Sequence, residues 1–245
     1  MLRTLLSGVF LFENAMNTII IVARYRTWAI PFAFISMALF HLIFVWNRKL
    51  TFYKLMGSGK NGSFDIVPDL HQWVILINTE ECKELSEEHV YSLTGVFFRI
   101  WNRIFTKNIS FIFLQPLQGH GQWDGSNPFK GRAKSDNPNP VATLTRATIR
   151  LRKLKAFWSR VAPVASTLPN AKGFCFSLGF GEIPWVKQAT FSVWKSEEDL
   201  KHFAYTMTEH KNVIQSTRKG DWYSEELFHR FEVLSIIGPL KSRME

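Results

Sequence analysis

The chain has 245 residues, of which 46% are hydrophobic and 15% aromatic, enough core material to exclude an intrinsically disordered protein. Its formal charge of +10 is carried by scattered Lys and Arg, densest at Arg146–Lys155 and Lys241–Arg243, with no nucleic-acid motif. Nucleic acid is therefore not the expected partner, while an anionic membrane surface or a plain solvated basic face fits. Only Cys82 and Cys175 occur, without CxxC or zinc spacing, which argues against a disulfide framework or structural metal and for a reducing, cytoplasmic setting.

Residues 1–15 read as a short extension that lacks the cleavage pattern of a signal peptide. From there the chain presents the same order of elements twice. Asn17–Tyr25 reads as a strand, Trp28–Trp46 is a strongly apolar helix, and FYKLMGSG begins a turn-rich strand. Gln72–Asn78 is a third strand, TEECKELSEE an acidic helix start, and Phe111–Leu117 a closing strand. In the second half the counterparts are Ala142–Ile149, LKAFWSRVAPVAS, FCFSLGFGEI, KQATFSVW with SEEDLKHF, and LFHRFEVLSII. A doubled βαββαβ pattern predicts an α+β fold of two tandem ferredoxin-like repeats, 16–119 and 141–245, joined by a linker loop at 120–140. Sheets packed face to face could enclose an apolar cavity for a flat cofactor or a lipophilic substrate.

Thr27–Val45 has the length and apolarity of a membrane span, flanked by Arg24, Arg26, Arg48 and Lys49. The preceding strand and its slot in the repeat favour a helix whose Trp28, Ile35, Leu39 and Leu42 face the sheet. Its outer apolar face is then left for a second copy or a membrane surface. The linker GHGQWDGSNPFKGRAKSDNPNP breaks helix and strand alike; His120, Trp123 and Arg132 within it read as loop anchors. Gly57–Ser58–Gly59 with Gly62 reads as a hairpin bend and not a phosphate cradle.

None of the seven histidines falls into a recognised metal or nucleophile motif. Helical spacing nevertheless puts Leu200, Phe203, Met207, His210 and Ile214 on one stripe, with Ser196 and the following acids as its cap. His210 is therefore expected to point inward, either as a metal ligand or as a core histidine bonded to a carbonyl. His229, paired by alternation with Leu227 and Phe231, is the second candidate. Alternation also sets Arg146, Thr148 and Arg150 on one strand face.

FYKLMGSGKNGSF, ATLTRATIR with AFWSRV, GFGEIPWVKQATFSVW and FAYTMTEHKNVIQSTRKGDWYSEELFHRFEVL together resemble the spheroidene monooxygenase family of carotenoid ketolases. The match runs in order from about Asn17 to Leu234. The resemblance implies a haem-dependent oxygenase of dimeric α+β-barrel type, acting on an acyclic carotenoid or similar lipophilic molecule with an external electron donor. It further implies that a histidine on a helix of the second repeat holds the iron, which here is His210, with Met207 and Phe203 beside it. Arg146 or Arg150 would then assist O–O cleavage or pair with haem propionates. A haem lyase resembling aldoxime dehydratases, or a non-catalytic haem- or lipid-binding protein, would use the same scaffold. The expected location is the cytoplasm, at or near the inner face of the membrane.

Overall fold

The computed structural model describes residues 17–60, 65–81, 84–131, 139–159, 168–206 and 221–244. The first half runs β1 (Asn17–Tyr25), α1 (Ile30–Phe44), β2 (Phe52–Gly59), β3 (Pro68–Thr79), α2 (Glu87–Thr94), α3 (Val96–Phe105) and β4 (Thr106–Gly121). The second runs β5 (Val141–Ile149), a short helix α4 at 154–159, β6 (Phe174–Ile183), β7 (Lys187–Trp194), α5 (Glu197–Thr206) and β8 (Tyr223–Ile237). Both halves are βαββαβ units, as the doubled pattern predicts.

The strands close into one barrel in the order β1-β3-β2-β6-β7-β5-β8-β4, with every neighbour antiparallel. Each half contributes its strands in the order fourth, first, third, second. The two halves meet at unequal seams. β4 and β8 pair from Phe111↔Ile237 to Gly121↔Leu227, whereas β2 and β6 share only Gly57↔Gly181 and Ser58↔Phe180. Side chains reinforce the short seam, because Ser58 Oγ donates to Gly179 O at 2.9 Å and accepts from Gln72 Nε2 at 3.0 Å. The Gly57–Gly59 stretch is thus strand, bulged between Gly57 and Ser58.

Alternation divides each strand between two environments. Inward residues such as Ile20, Val74, Ile112, Leu144, Phe180 and Phe191 form one buried cluster drawn from both halves. Trp123 and Phe129, from the segment after β4, join that cluster. Among the described residues, this cluster occupies the space expected between facing sheets, with many of the inward positions carrying aromatic rings.

Outward residues of the first half, including Ile19, Ile21, Ile75, Ile77, Phe111 and Phe113, are buried beneath α1, α2 and α3. α1 meets the sheet through Ala33, Ser36, Phe40 and Phe44. Trp28, Ile35 and Leu42, expected on that face, are 57%, 49% and 61% exposed, and Leu39 is half-buried. The helix is apolar all round, so periodicity could not single out a buried face. Small Ala33 and Ser36 decide it by letting the backbone approach. A chain of hydrogen bonds locks this contact: Trp101 Nε1 donates to Tyr25 Oη (3.2 Å), Tyr25 to Ser36 Oγ (3.0 Å), and Ser36 to Ala33 O (2.7 Å).

Candidate active site

One end of the barrel is closed by charge. Arg146 faces inward from β5 and is 1% exposed. Its Nη1 pairs with Glu225 of β8, and its Nη2 lies 3.3 Å from Glu182 of β6 and 3.7 Å from Asp124. Lys54 of β2 pairs with Asp124 and reaches Glu182 at 2.8 Å, and Lys187 reaches Asp124 at 3.0 Å. Trp123 Nε1 donates to Glu182 at 2.9 Å, and the Arg146 guanidinium lies 5.5 Å from the indole centre. Burial works against the charge of Lys54, but the two carboxylates more than offset it and hold its ammonium above the ordinary range. Burial likewise opposes the charge on Glu225; the Gly125 amide and Arg146 overcome it and hold the carboxyl below its ordinary range.

Three cations thus face three carboxylates. Such a balanced network closes and orders a barrel end, and leaves no surplus charge for an anionic ligand. Arg146, expected to serve a propionate or the O–O bond, has its guanidinium taken up by carboxylates, with only Nε lacking a partner. Arg150 lies just past β5, 37% exposed, its Nη2 3.2 Å from Asp221. The two arginines are not brought together at one site. Trp123 is more than a loop anchor: it is buried in the barrel mouth. Arg132 lies outside the described residues.

His229 faces the interior from β8, 2% exposed, together with Leu227 and Phe231 as alternation predicts. Neither ring nitrogen has a hydrogen-bond partner among the described residues. Burial, with His120 adding to it, pushes its pKa down to about 4, so the imidazole is neutral. Its ring centre lies 4.9 Å from that of Phe129 and 5.0 Å from that of Phe231. A Cβ on Gly119 would come within 2.2 Å of Nδ1. The donor chemistry suits a metal, but among the described residues the imidazole is flanked at close range by the Phe129 and Phe231 rings.

The outer face of the second half differs. Thr143, Thr145, Thr190, Ser192, Phe228 and Arg230 point outward here, as the β5–β7 and β5–β8 registers require. Thr145 is exposed, while Thr190, Ser192, Phe228 and Arg230 are only half-buried. The equivalent face of the first half is sealed. α5 covers one end, where Leu200 and Phe203 bury against Val141 and Trp194, with Phe203 and Trp194 ring centres 5.0 Å apart. Ser196 caps α5 by accepting from the Asp199 amide at 3.1 Å. Phe203 and Leu200 therefore face this sheet as their stripe predicts; Met207 and His210 lie outside the described residues. Short Thr and Ser side chains line this outer face, with Arg230 held by Glu197 at 2.7 Å.

Sequence reasoning missed Lys54, Asp124, Glu182, Lys187 and Glu225, which the chain brings together from four strands and a turn. The one available signal was a charge at an inward position of an apolar alternation, as at Lys54 between Phe52 and Met56.

An eight-stranded barrel of two ferredoxin-like halves is also the fold of an aldoxime dehydratase solved in complex with butyraldoxime. That structure matches with a TM-score of 0.57 and 11% identity, over 89% of this chain and 79% of its own. No protein-family model matches the chain. Spheroidene monooxygenase of Rhodobacter capsulatus is 34% identical over 197 residues, 78% of each chain. That of Cereibacter sphaeroides is 33% identical over 195 residues, 78% of this chain but only 58% of the relative's length. The chain belongs to the spheroidene monooxygenase family of oxidoreductases.

Proposed function

We propose that this protein is a haem-dependent monooxygenase that oxidises a long apolar substrate, such as an acyclic carotenoid, first to an alcohol and then to a ketone. The observation that carries this proposal is the 34% identity to a spheroidene monooxygenase across most of both chains. When bound, haem would supply the activation of O₂, placing one oxygen atom in a methylene C–H bond while two electrons from a donor reduce the other to water. A second round at the same carbon gives a geminal diol, which loses water to the ketone.

The haem site is proposed on the outer face of the second half. The floor of Thr143, Thr145, Thr190 and Ser192 would carry the ring, and Arg230 would meet a propionate. His210 would be the ligand, because Leu200 and Phe203, earlier on its stripe, face this sheet. The flanking Phe129 and Phe231 rings argue against His229, which stays the second choice. Arg150, just past β5, would remain a candidate for a propionate or for assisting O–O cleavage, whereas Arg146 faces the barrel interior. The proposed location is the cytoplasmic side of the membrane, where such a substrate dissolves.

An absorption spectrum of the full chain with added haem tests this directly. A Soret band that His210→Ala abolishes and His229→Ala preserves is expected, along with carotenoid oxidation requiring both O₂ and a reductant. No band in the wild type, or conversion without O₂, would overturn the proposal.

A further inference from the structure

We propose that the outer faces of α1 and α3 form a docking surface for an anionic lipid leaflet, with both helices lying in the plane of the membrane. The two helices run side by side, with Phe32 stacked on Phe105 at 4.5 Å and Phe40 against Phe98 at 4.9 Å. Each turns a second apolar stripe away from the barrel. Trp28, Ile35 and Leu42 recur at sevens, and Val96, Ile100 and Ile104 at fours, all between 48% and 72% exposed. Trp46, beyond the end of α1, is 84% exposed. Indole rings at the two ends of a greasy helix suit the boundary between headgroups and acyl chains.

Charge selects the occupant. Neither Asp nor Glu occurs from Asn17 to Lys60, nor from Val96 to Lys107. Arg26, Arg48, Lys49, Arg103 and Lys107 are all exposed around the apolar stripes, while Arg99 is paired with Glu88 of α2 at 2.8 Å. A second copy docking on this face would set that basic rim against itself, whereas an anionic leaflet neutralises it. Spanning is excluded by topology. β1 leads into α1 and β2 leads out, and both pair with β3, so the two ends of the helix are tied to one barrel. The Tyr25–Ser36 bond and the buried Phe40 and Phe44 fix the helix lengthwise on the sheet.

The surface also adjoins an open cleft of about 620 Å³ whose wall mixes apolar Met37, Val45 and Leu55 with polar Tyr53, Lys54 and Glu182. Val45, at the exposed end of α1, borders this cleft. The helix faces form this surface whether or not the protein holds haem or acts as an oxygenase.

Flotation of the purified full chain with vesicles provides the test. Vesicles of phosphatidylcholine containing phosphatidylglycerol should carry the protein, with weaker binding to phosphatidylcholine alone and in raised salt. Replacing Leu42 and Ile100 together by Glu should cut the bound fraction by about tenfold or more while the circular dichroism spectrum stays unchanged. Replacing Arg48, Lys49 and Arg103 by Gln should remove the preference for anionic vesicles. Failure of the wild type to float, or undiminished binding by the Leu42→Glu, Ile100→Glu chain, would overturn the proposal. So would a dimer in sedimentation equilibrium that the same pair converts to monomer, which would assign the face to a second copy.

Discussion

Gly119 and His229 lie opposite each other where β4 pairs with β8, and the absent side chain at 119 is what admits the imidazole. A methyl group there would sit 2.2 Å from Nδ1 and 2.3 Å from the Phe228 carbonyl. Backbone blocks one side, so the clash cannot be relieved by a rotamer change alone. Gly119→Ala should destabilise the barrel by about 1–3 kcal/mol. Urea unfolding at neutral pH checks this; an unchanged midpoint would show that the β4–β8 seam yields.

The neutral state of His229 makes stability depend on pH. Its folded pKa is about 4 against an ordinary 6.5, so the unfolded chain binds the extra proton between those values. Its contribution is fully present above pH 6.5 and is lost as pH falls toward 4, approaching about 3 kcal/mol. His229→Leu should flatten the stability profile across that window and cost little at neutral pH, because it removes two unpartnered polar atoms. Parallel denaturant titrations of both proteins at several pH values would reveal any persisting slope.

Arg146 holds two strands' carboxylates together from within. Arg146→Met would leave Glu182 and Glu225 without their shared cation, a loss of about 3–5 kcal/mol. Adding Glu225→Gln should restore part of it, since the uncompensated charge is then smaller. Thermal unfolding of the single and double variants measures the coupling, and strict additivity would contradict the network.

Tyr25 links α3, β1 and α1 through its hydroxyl. Tyr25→Phe should cost about 1–3 kcal/mol by leaving the buried Trp101 N–H unpaired. Vesicle binding should be unaffected, because none of the exposed stripe changes.

Much of the architecture was legible in the amino-acid order. β1, β6 and β7 run over the residues read from the sequence as strands, and the doubled βαββαβ order holds. Strand alternation also placed His229 correctly with Leu227 and Phe231. Such signals are local, arising from side-chain spacing within a single element. The buried face of α1 was not legible, because a helix apolar on every side carries no periodic contrast. The charged barrel mouth was not legible either: Lys54, Glu182 and Arg146 lie far apart in the chain and meet only through strand register.

Local pattern therefore specified most of the strands, their repetition and the shared face of Leu227, His229 and Phe231. Closure of the two halves into one barrel rests on pairing between distant strands, β4 with β8 and β2 with β6. That closure gathers inward side chains from both halves into one cluster and unites opposite charges at its mouth. It also turns the apolar backs of α1 and α3 outward, because such contacts depend on distances in space that no short stretch of chain encodes.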